Sequence, residues 1–361
     1  MTLHLLHIHN LRNLVEAKVE LAPQFNLLHG LNGSGKTSFL EAIYYLGLGR
    51  SFRTRLNSRI INHQAEHFAL FAQINQENQR IPVGLERHAN GELRIRIAQE
   101  NARSLLALTE ILPLQLLNTD SRQLLIGGSK IRRQFIDWGV FHVEPSFMTH
   151  WQHAQRILKQ RNAALKQHAA RSTVQIWDEE LDATAQILDR LRQNYLEQFI
   201  PAFNTILTAF LPTIEITLGY KSGWNESLGL KKVLEQSWSR DLQIGYTQTG
   251  PQRADLAIRI NHIPAQDILS QGQQKLLVYA LRLAQGLLLK TQKAKACVYL
   301  LDDLPAELDL PNQHKVAHVL RNMAAQVFIT GVASEALKEF QDFPDSTMFH
   351  VKHGENPISA V

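Results

Sequence analysis

The feature that most constrains the fold of this chain is the loop Gly30-Leu31-Asn32-Gly33-Ser34-Gly35-Lys36-Thr37, which fits the phosphate-loop pattern G-x-x-x-x-G-K-[ST] at every fixed position. A short apolar run, residues 25–29, precedes the loop, and an amphipathic run, residues 38–46, follows it. The first run is typical of a buried strand, and the second of a helix with one apolar face. Strand, glycine loop and helix in this order predict a nucleotide-binding domain.

The residue types of the loop suit a polyphosphate. Glycines let the backbone turn sharply and bring its N–H groups onto phosphate oxygens, and the following helix adds the positive end of its dipole. We expect Lys36 to contact the β- and γ-phosphates of ATP and the Thr37 hydroxyl to bind Mg²⁺. The other loop residues, Gly30, Leu31, Asn32, Gly33, Ser34 and Gly35, are candidate nucleotide contacts through their backbone.

A second motif completes this chemistry far along the chain. The apolar run Val298-Tyr299-Leu300-Leu301 ends in Asp302-Asp303, as in many phosphate-loop ATPases. We expect Asp302 to hold the Mg²⁺ shell and Asp303 to orient and activate the attacking water. Strands often end in acidic turn residues, so the interpretation depends on the pairing with the first motif.

Composition sets broad limits on the class of protein. A chain of 361 residues is too long to fold around a single compact core, so its length predicts two or three domains. Lys and Arg number 38 against 33 Asp and Glu, a mild basic excess that is compatible with nucleic acid and equally with an ordinary basic protein. The lone Cys297 predicts a buried, reduced thiol. With neither a signal-peptide pattern nor an apolar run of membrane-spanning length, we expect a cytoplasmic protein without a membrane partner.

The pattern of the chain predicts an α/β domain that is interrupted by helices. Residues 1–118 are expected to be the N-terminal part of the ATPase domain, with strands at 3–8, 14–21, 68–74, 81–85 and 93–97 and a hairpin at Asn90-Gly91. Residues 119–211 are expected to be a helical arm insertion, in which two long helices meet near residues 170–173 and Pro201 kinks or breaks the second. Residues 212–361 are expected to return to the ATPase domain.

The segment Ser270-Gln271-Gly272-Gln273 stands at the predicted N-terminus of another helix. A serine and a glycine directly before a helix place a hydroxyl, backbone N–H groups and a helix N-terminus together, which makes a second anion-binding end. One phosphate loop needs only one such end, so this one could face the nucleotide of another subunit. An ordinary N-cap by Ser270 is the alternative.

Together these motifs resemble the ATPases of the ABC and SMC group and, within it, the RecF family of bacterial DNA-repair and replication ATPases. The resemblance is carried by the two nucleotide motifs, the S-x-G-Q segment and a series of segments in order along the chain: residues 10–13, 49–54, 127–133, 135–139, 158–165, 250–256 and 281–286. It implies an α/β fold, an ABC-type (SMC-like) ATPase domain with mixed sheets interrupted by a helical arm.

The resemblance also implies roles for individual residues. Ser270, with Gly272 and Gln273, would contact the γ-phosphate held by the phosphate loop of a second copy, so that ATP drives homodimerisation. Gln115 falls where the family's glutamine loop lies and would touch Mg²⁺ or the attacking water. Arg12 would lie near the nucleotide, or would be a surface arginine in a turn. Thr330 stands where ABC transporters carry a switch histidine, and a hydroxyl cannot replace that acid, so we expect slow ATP turnover.

The function implied is DNA binding in the recombinational repair of gaps and stalled replication forks, with recombination mediator proteins as partners and a part in the SOS response. Basic residues dominate residues 121–171, and five are candidate DNA contacts: Lys130, Arg132, Arg133, Lys159 and Arg161. A solvated helical face is the alternative. Without a base-reading motif, selection of DNA structure is expected rather than of sequence.

Two other functions share parts of this pattern. An ABC transporter ATPase would share the nucleotide motifs and the signature, but the long insertion and the missing switch histidine disfavour it. A non-hydrolysing scaffold would use ATP only as a dimerisation ligand. A nucleotide kinase has no need of the segment at Ser270.

Overall fold

The structure, a computed structural model, describes residues 1–76, 79–102, 104–352 and 358–360. Its residues form two compact units. The first unit combines Met1–Ser121 with Lys275–Val361, and the second is Arg122–Gln274. The chain therefore leaves the first unit and returns to it, but the return falls some sixty residues later than the predicted boundary at 211/212.

The first part of the chain is mostly strand. Its elements are β1 Thr2–Leu11, β2 Leu14–Glu20, β3 Phe25–His29, α1 Lys36–Leu48, β4 His67–Gln76, β5 Gln79–His88, β6 Leu93–Ile97, β7 Glu100–Asn101, α2 Leu106–Ile111 and β8 Leu114–Leu117. The predicted strands and the turn at Asn90-Gly91 are present.

The middle of the chain is mostly helix. Its elements are α3 Gln123–Ile126, α4 Ser129–Val143, α5 Phe147–Lys166, α6 Arg171–Phe210, β9 Thr217–Lys221, α7 Leu230–Ile244, β10 Asp255–Ile260, β11 Ile263–Pro264, α8 Ala265–Ile268 and α9 Gln271–Lys293. The last part alternates strand and helix: β12 Val298–Leu301, α10 Leu304–Glu307, α11 Leu310–Asn322, β13 Gln326–Gly331, α12 Lys338–Gln341, β14 Ser346–Val351 and β15 Ile358–Ala360.

Two six-stranded sheets build the first unit. One is antiparallel, in the order β2-β1-β4-β5-β6-β7, and the other has the order β15-β14-β3-β13-β12-β8. In the second sheet β14, β3, β13, β12 and β8 are parallel, so their carboxyl ends meet at one edge. Buried residues of both sheets and of α1 form one hydrophobic core that contains Leu6, Ile43 and Phe328. The phosphate loop lies at the carboxyl edge of the parallel strands, where β3 turns into α1.

The second unit combines long helices with a three-stranded sheet, β11-β10-β9. Helices α5 and α6 pack together with α7 through a buried cluster that includes Leu158, Leu181 and Leu234. Strand β10 lies against α4, and β9 against α6. This packing explains why the unit extends past residue 211, because its sheet is made by residues beyond the predicted arm.

Helix α6 does not break at Pro201. It is one α-helix from Arg171 to Phe210 with the proline inside it. Proline removes one helical hydrogen bond, and it is tolerated because buried aromatic side chains on both sides, Phe199 and Phe203, anchor the helix. In the described residues, none of the helices has the length and apolar character needed to cross a membrane.

Candidate active site

The phosphate loop connects β3 to α1, and its backbone has a positive φ at Gly30, Gly33 and Gly35. The φ angles of Gly30 and Gly35 are 153° and 120°, which side chains rarely adopt. A Cβ at Gly30 would lie 2.2 Å from the carbonyl oxygen of Val351, and one at Gly35 would lie 2.9 Å from Leu14 Cδ2. Within the described residues no side chain caps the N-terminus of α1. Its first N–H groups and its dipole are therefore available to an anion.

Lys36, the first residue of α1, reaches back over this loop. Its Nζ donates hydrogen bonds to the carbonyl oxygens of Gly30, at 2.6 Å, and Leu31, at 2.9 Å. Partial burial lowers the pKa of Lys36, and the carboxylates of Asp303 and Asp302 oppose that shift. A partly buried ammonium facing two carboxylates is the arrangement that a bound polyphosphate and cation would complete.

The two acidic residues follow β12 directly, at the carboxyl edge of the parallel sheet. Asp302 Oδ1 accepts hydrogen bonds from the hydroxyls of Thr37, at 3.1 Å, and Thr330, at 2.9 Å. The same Thr330 hydroxyl accepts from the backbone N–H of Asp303 at 2.7 Å. The structure thus brings the predicted Mg²⁺ residues Thr37 and Asp302 together, and it gives Thr330 a positioning role that the sequence did not reveal. Thr37 and Asp302 together supply oxygen ligands of the kind that Mg²⁺ prefers.

Asp303 is held in a conformation that few residue types adopt. Its φ of 56° lies in the left-handed region, where Asp and Asn are enriched. Desolvation raises the pKa of Asp303, the charges of Asp302 and Glu307 raise it further, and Lys36 opposes the shift. A carboxylate with a raised pKa at the mouth of a phosphate cavity has the character of a general base.

Arg12 lies in the hairpin between β1 and β2 and is among the residues that line the same cavity. Its guanidinium makes two hydrogen bonds to the Glu41 carboxylate, at 2.8 and 2.9 Å, and Glu41 on α1 is completely buried. Asn13 donates to the carbonyl oxygen of Gly33 at 3.1 Å and accepts from the Ser38 hydroxyl at 2.9 Å. The hairpin thereby braces the phosphate loop. Sequence reasoning missed Glu41 and Asn13, although Glu41 is the only charged residue between Thr37 and Gly49 and so stands out in an otherwise uncharged helix.

These parts enclose a cavity of about 780 Å³. Its lining combines the phosphate loop, the acidic pair and a rim of basic and polar residues: Arg12, Asn13, Asn32, Gly33, Gly35, Lys36, Thr37, Ser38, Arg53, Arg59, Ile61, Asn62, His63, Gln64, Thr119, Asp302, Asp303, Thr330 and Val332. All of these residues belong to the first unit. The volume and the charge pattern fit a nucleoside triphosphate with a divalent cation.

Gln115 does not lie at this cavity, so the prediction that it touches Mg²⁺ or the attacking water is wrong. It stands within β8 opposite Tyr299, two residues before the strand ends, and it is buried. Its amide donates to Gln285 at 2.9 Å and accepts from Arg282 at 2.9 Å.

Ser270 begins α9 and forms a capping box with Gln273. The Ser270 N–H donates to Gln273 Oε1 at 2.9 Å, and the Gln273 N–H donates to Ser270 Oγ at 3.3 Å. Ser270 and Gly272 are exposed, and they are not among the residues that line the phosphate cavity. A Cβ at Gly272 would meet nothing within 4 Å among the described residues. The fold of the chain therefore gives no reason for glycine here, where it weakens a helix.

Of the five predicted DNA contacts, the three arginines are bonded within the protein and the two lysines are exposed. Arg161 is completely buried and pairs with Asp178, at 2.6 Å, and Asp241, at 2.9 Å, so it cannot reach DNA. Arg132 pairs with Asp255 at 2.8 Å. Arg133, on the same helix as Arg132, donates a hydrogen bond to the carbonyl oxygen of Ala254 at 2.8 Å. Lys130, also on this helix, is exposed.

Only Lys130 and Lys159 of the five are exposed. From the sequence alone all five looked like unpaired surface charges. The acidic partners of the arginines, such as Asp241 and Asp255, are distant in sequence and could not be assigned to them. The prediction is therefore wrong for Arg161, and Arg132 and Arg133 have structural roles within the second unit.

Comparison with known proteins identifies the family to which a chain with this site belongs. The model of the RecF/RecN/SMC N-terminal domain matches residues 2–358. The DNA replication and repair protein RecF of Psychromonas ingrahamii is 45% identical over 356 residues, which cover 98% of this chain and 99% of that protein. The chain belongs to the RecF family. The RecF protein of Shewanella piezotolerans is 42% identical over 354 residues, with 98% of each chain covered.

Solved structures agree on the fold. A structure described as the recombination mediator protein RecF-ATP in the RecFOR pathway gives a TM-score of 0.86 at 24% identity, with 100% of this chain and 97% of that chain covered. An Smc head bound to the C-winged helix domain of ScpA gives a TM-score of 0.62 at 14% identity, with 100% and 97% covered. The predicted fold class, an SMC-like α/β ATPase domain with mixed sheets, is confirmed.

Proposed function

We propose that this protein is a DNA-binding ATPase of replication and recombinational repair that binds ATP with Mg²⁺ and dimerises around it. The observation that carries the proposal is the cavity that joins Lys36, Thr37, Asp302 and Asp303. Support comes from the family, whose relatives are named as DNA replication and repair proteins, and from the solved RecF that is described as an ATP complex. We further propose a cytoplasmic protein that acts with recombination mediators and in the SOS response.

Five residues of the cavity have a part in the proposed hydrolysis. Lys36 and the N-terminus of α1 bind the β- and γ-phosphates, while Thr37 and Asp302 hold the cation, which neutralises phosphate charge when it is bound. Asp303 accepts a proton from the attacking water and orients it toward the γ-phosphate. Thr330 holds Asp302 and the backbone of Asp303, but its hydroxyl is not an acid at neutral pH. Slow turnover is the expected consequence.

The start of α9 supports dimerisation. Its helix N-terminus is exposed, and Gly272 leaves open space where a side chain would stand. Among the described residues no atom lies within 4 Å of a Cβ placed at Gly272, so the space beside its backbone is open to a group from another molecule, and an anion is what a helix N-terminus attracts. We assign this end to the γ-phosphate held in the cavity of a second copy, with Ser270 donating its hydroxyl.

Gly272→Glu tests this assignment sharply. An acidic residue in the first turn stabilises a helix, so the monomer should be at least as stable as the wild type, whereas its charge should repel a phosphate. In sedimentation experiments, ATP with Mg²⁺ should convert wild-type protein to dimer and leave Gly272→Glu monomeric with ATP still bound. Thr173→Glu, which adds the same charge to the first turn of α6, is the control and should dimerise. Normal dimerisation of Gly272→Glu would exclude the shared site.

A groove in the second unit is the proposed DNA contact. It has a volume of about 690 Å³ and lies between α5 and residues 246–253. Its charged lining residues among those described, Lys159, Lys166 and Arg253, are all basic. Such charges bind backbone phosphates without reading sequence.

The salt dependence of duplex binding tests the groove. Each lysine that contacts a phosphate adds about 1 to the slope of log K against log salt. Lys159→Ala combined with Lys166→Ala should therefore lower affinity and reduce that slope by about 2. Lys232→Ala removes an exposed lysine of α7 in the same unit and should leave the slope unchanged. Equal slopes for the wild type and the double variant would place DNA elsewhere.

A further inference from the structure

The antiparallel sheet of the first unit carries a cluster of metal-ligating side chains that the nucleotide site does not use. His67 on β4 and His88 on β5 are directly opposite each other, and their rings stack with centroids 5.0 Å apart. Glu86, two residues before His88 and so on the same face of β5, lies with its Oε1 at 2.5 Å from His88 Nε2. One ligand atom from each of the three residues lies within 4.8 Å of the others.

We propose that His67, Glu86 and His88 form a binding site for a divalent transition-metal ion, for which Zn²⁺ is the natural choice. Two imidazole nitrogens and one carboxylate oxygen make a donor set typical of zinc, with a fourth position left for water or another ligand. The ion would take the place of the proton that joins Glu86 to His88. All three side chains are half-buried, so they are ordered by the sheet and still reachable from solvent.

The surroundings support a cation at this place. His9 on β1 and Glu86 on β5 are both opposite Ala69 of β4, whose small side chain leaves space between them. The His9 ring lies 6.3 Å from the His67 ring and is itself bonded to Glu16, at 2.7 Å from Nδ1 to Oε2. A third imidazole with its own carboxylate thus stands beside the three ligands. Such outer partners orient metal-bound histidines and tune their basicity.

The positive charge of Arg94, on the neighbouring strand β6, does not occupy the proposed metal site. Arg94 of β6 stands opposite Glu86, but its guanidinium bonds to Glu92 at 2.8 Å. Glu86 is therefore left to His88, and the fixed pairing of β4 with β5 holds the two imidazoles on one face without any loop rearrangement. A rigid sheet is a better support for a metal site than a loop.

Zinc titration of untagged, chelator-treated protein without nucleotide tests the proposal. A chromophoric zinc indicator in competition should report one tight zinc per chain, and the melting temperature should rise with zinc because a ligand that binds only the folded state stabilises it. His67→Ala and His88→Ala should each weaken zinc binding by more than roughly tenfold, since even outer partners of metal ligands contribute about 10–100-fold.

Two further variants separate this site from others. Glu86→Gln keeps the shape and hydrogen-bonding capacity of the side chain and removes its charge, so it should also weaken zinc binding while the protein stays folded. His7→Ala removes a histidine of the same sheet that is paired with Glu16 and outside the cluster, and it should retain the tight zinc. The proposal fails if the wild type binds no zinc at micromolar concentration, or if the cluster variants bind it as the wild type does.

Discussion

The Thr37 hydroxyl lies 3.1 Å from Asp302 Oδ1, although 265 residues separate the two in sequence. Thr37 lies in the first turn of α1, and Asp302 directly follows strand β12 of the parallel sheet. Their contact is what makes two sequence motifs into one site. It also fixes the point at which a cation would join the protein to a triphosphate.

Asp302→Asn should reduce the dependence of ATP binding on Mg²⁺, because an amide lacks the charge that attracts the cation. The ratio of the ATP affinity with Mg²⁺ to the ATP affinity without it should be roughly 10–100-fold smaller in this variant than in the wild type. Calorimetric titration with ATP, with and without Mg²⁺, measures the difference. Asp342→Asn alters an exposed aspartate outside the cavity lining and should behave as the wild type does.

Asp303→Asn should abolish ATP hydrolysis while ATP binding and ATP-driven dimerisation persist, because the amide cannot accept the proton. Asparagine also tolerates the left-handed backbone at this position, so the fold should be unaffected. Asp303→Ala should lose hydrolysis too and, in addition, be destabilised by about 1–2 kcal/mol. Phosphate release and thermal unfolding measure the two effects. Absence of hydrolysis in the wild type would instead favour an ATP-gated scaffold.

Arg161→Met and Lys159→Ala should have opposite consequences, although two residues separate them on one helix. Removing the buried Arg161 leaves Asp178 and Asp241 without their partner, which should cost about 3–5 kcal/mol of unfolding free energy. Lys159→Ala should leave stability within about 0.5 kcal/mol of the wild type and weaken DNA binding. Denaturant unfolding and DNA titration of both variants check this. An Arg161→Met protein of normal stability would contradict the structural role.

His29, the last residue of β3, should make stability depend on pH. Its ring stacks on His350 at 4.6 Å, and the pKa of His29 is lowered by burial first and then by the charges of His350 and Lys36, with Glu335 opposing. Because the unfolded chain binds this proton more readily, the stabilising contribution of neutral His29 is present above about pH 6.5 and is lost as pH falls toward the lowered value.

His29→Gln should therefore lose less stability than the wild type when pH falls from about 7 to about 5. Melting temperatures across that range measure the slope. His168→Gln changes an exposed histidine between α5 and α6 and should keep the wild-type slope. If His29→Gln and the wild type fall equally, the stacked pair does not control acid sensitivity.

Contiguous motifs could be predicted from the sequence, whereas properties that depend on register or distant pairing could not. The phosphate loop and the Asp302-Asp303 strand end carry their chemistry in neighbouring residues, so both sites were predicted. Gln115 was misplaced because only the pairing of β8 with β12 shows that it stands opposite Tyr299 instead of at the strand end.

The same limit applies to charge and to domains. Arg161 looked like surface charge because its partner Asp241 lies 80 residues away. The extent of the second unit was underestimated because β10 packs on α4, a contact between segments more than a hundred residues apart. Periodicity shows which face of an element is apolar, and it does not show which other element covers that face.

The position of β3 has a consequence for synthesis of the protein. This strand pairs on one side with β13 and on the other with β14, and both are made near the end of the chain. At about 5–20 residues per second, the ribosome needs roughly 15–60 s to reach them after β3 has emerged. During that time both edges of an apolar strand lack their partners and can pair with other chains. A nascent chain of this protein should therefore depend on chaperones until its last strands are made.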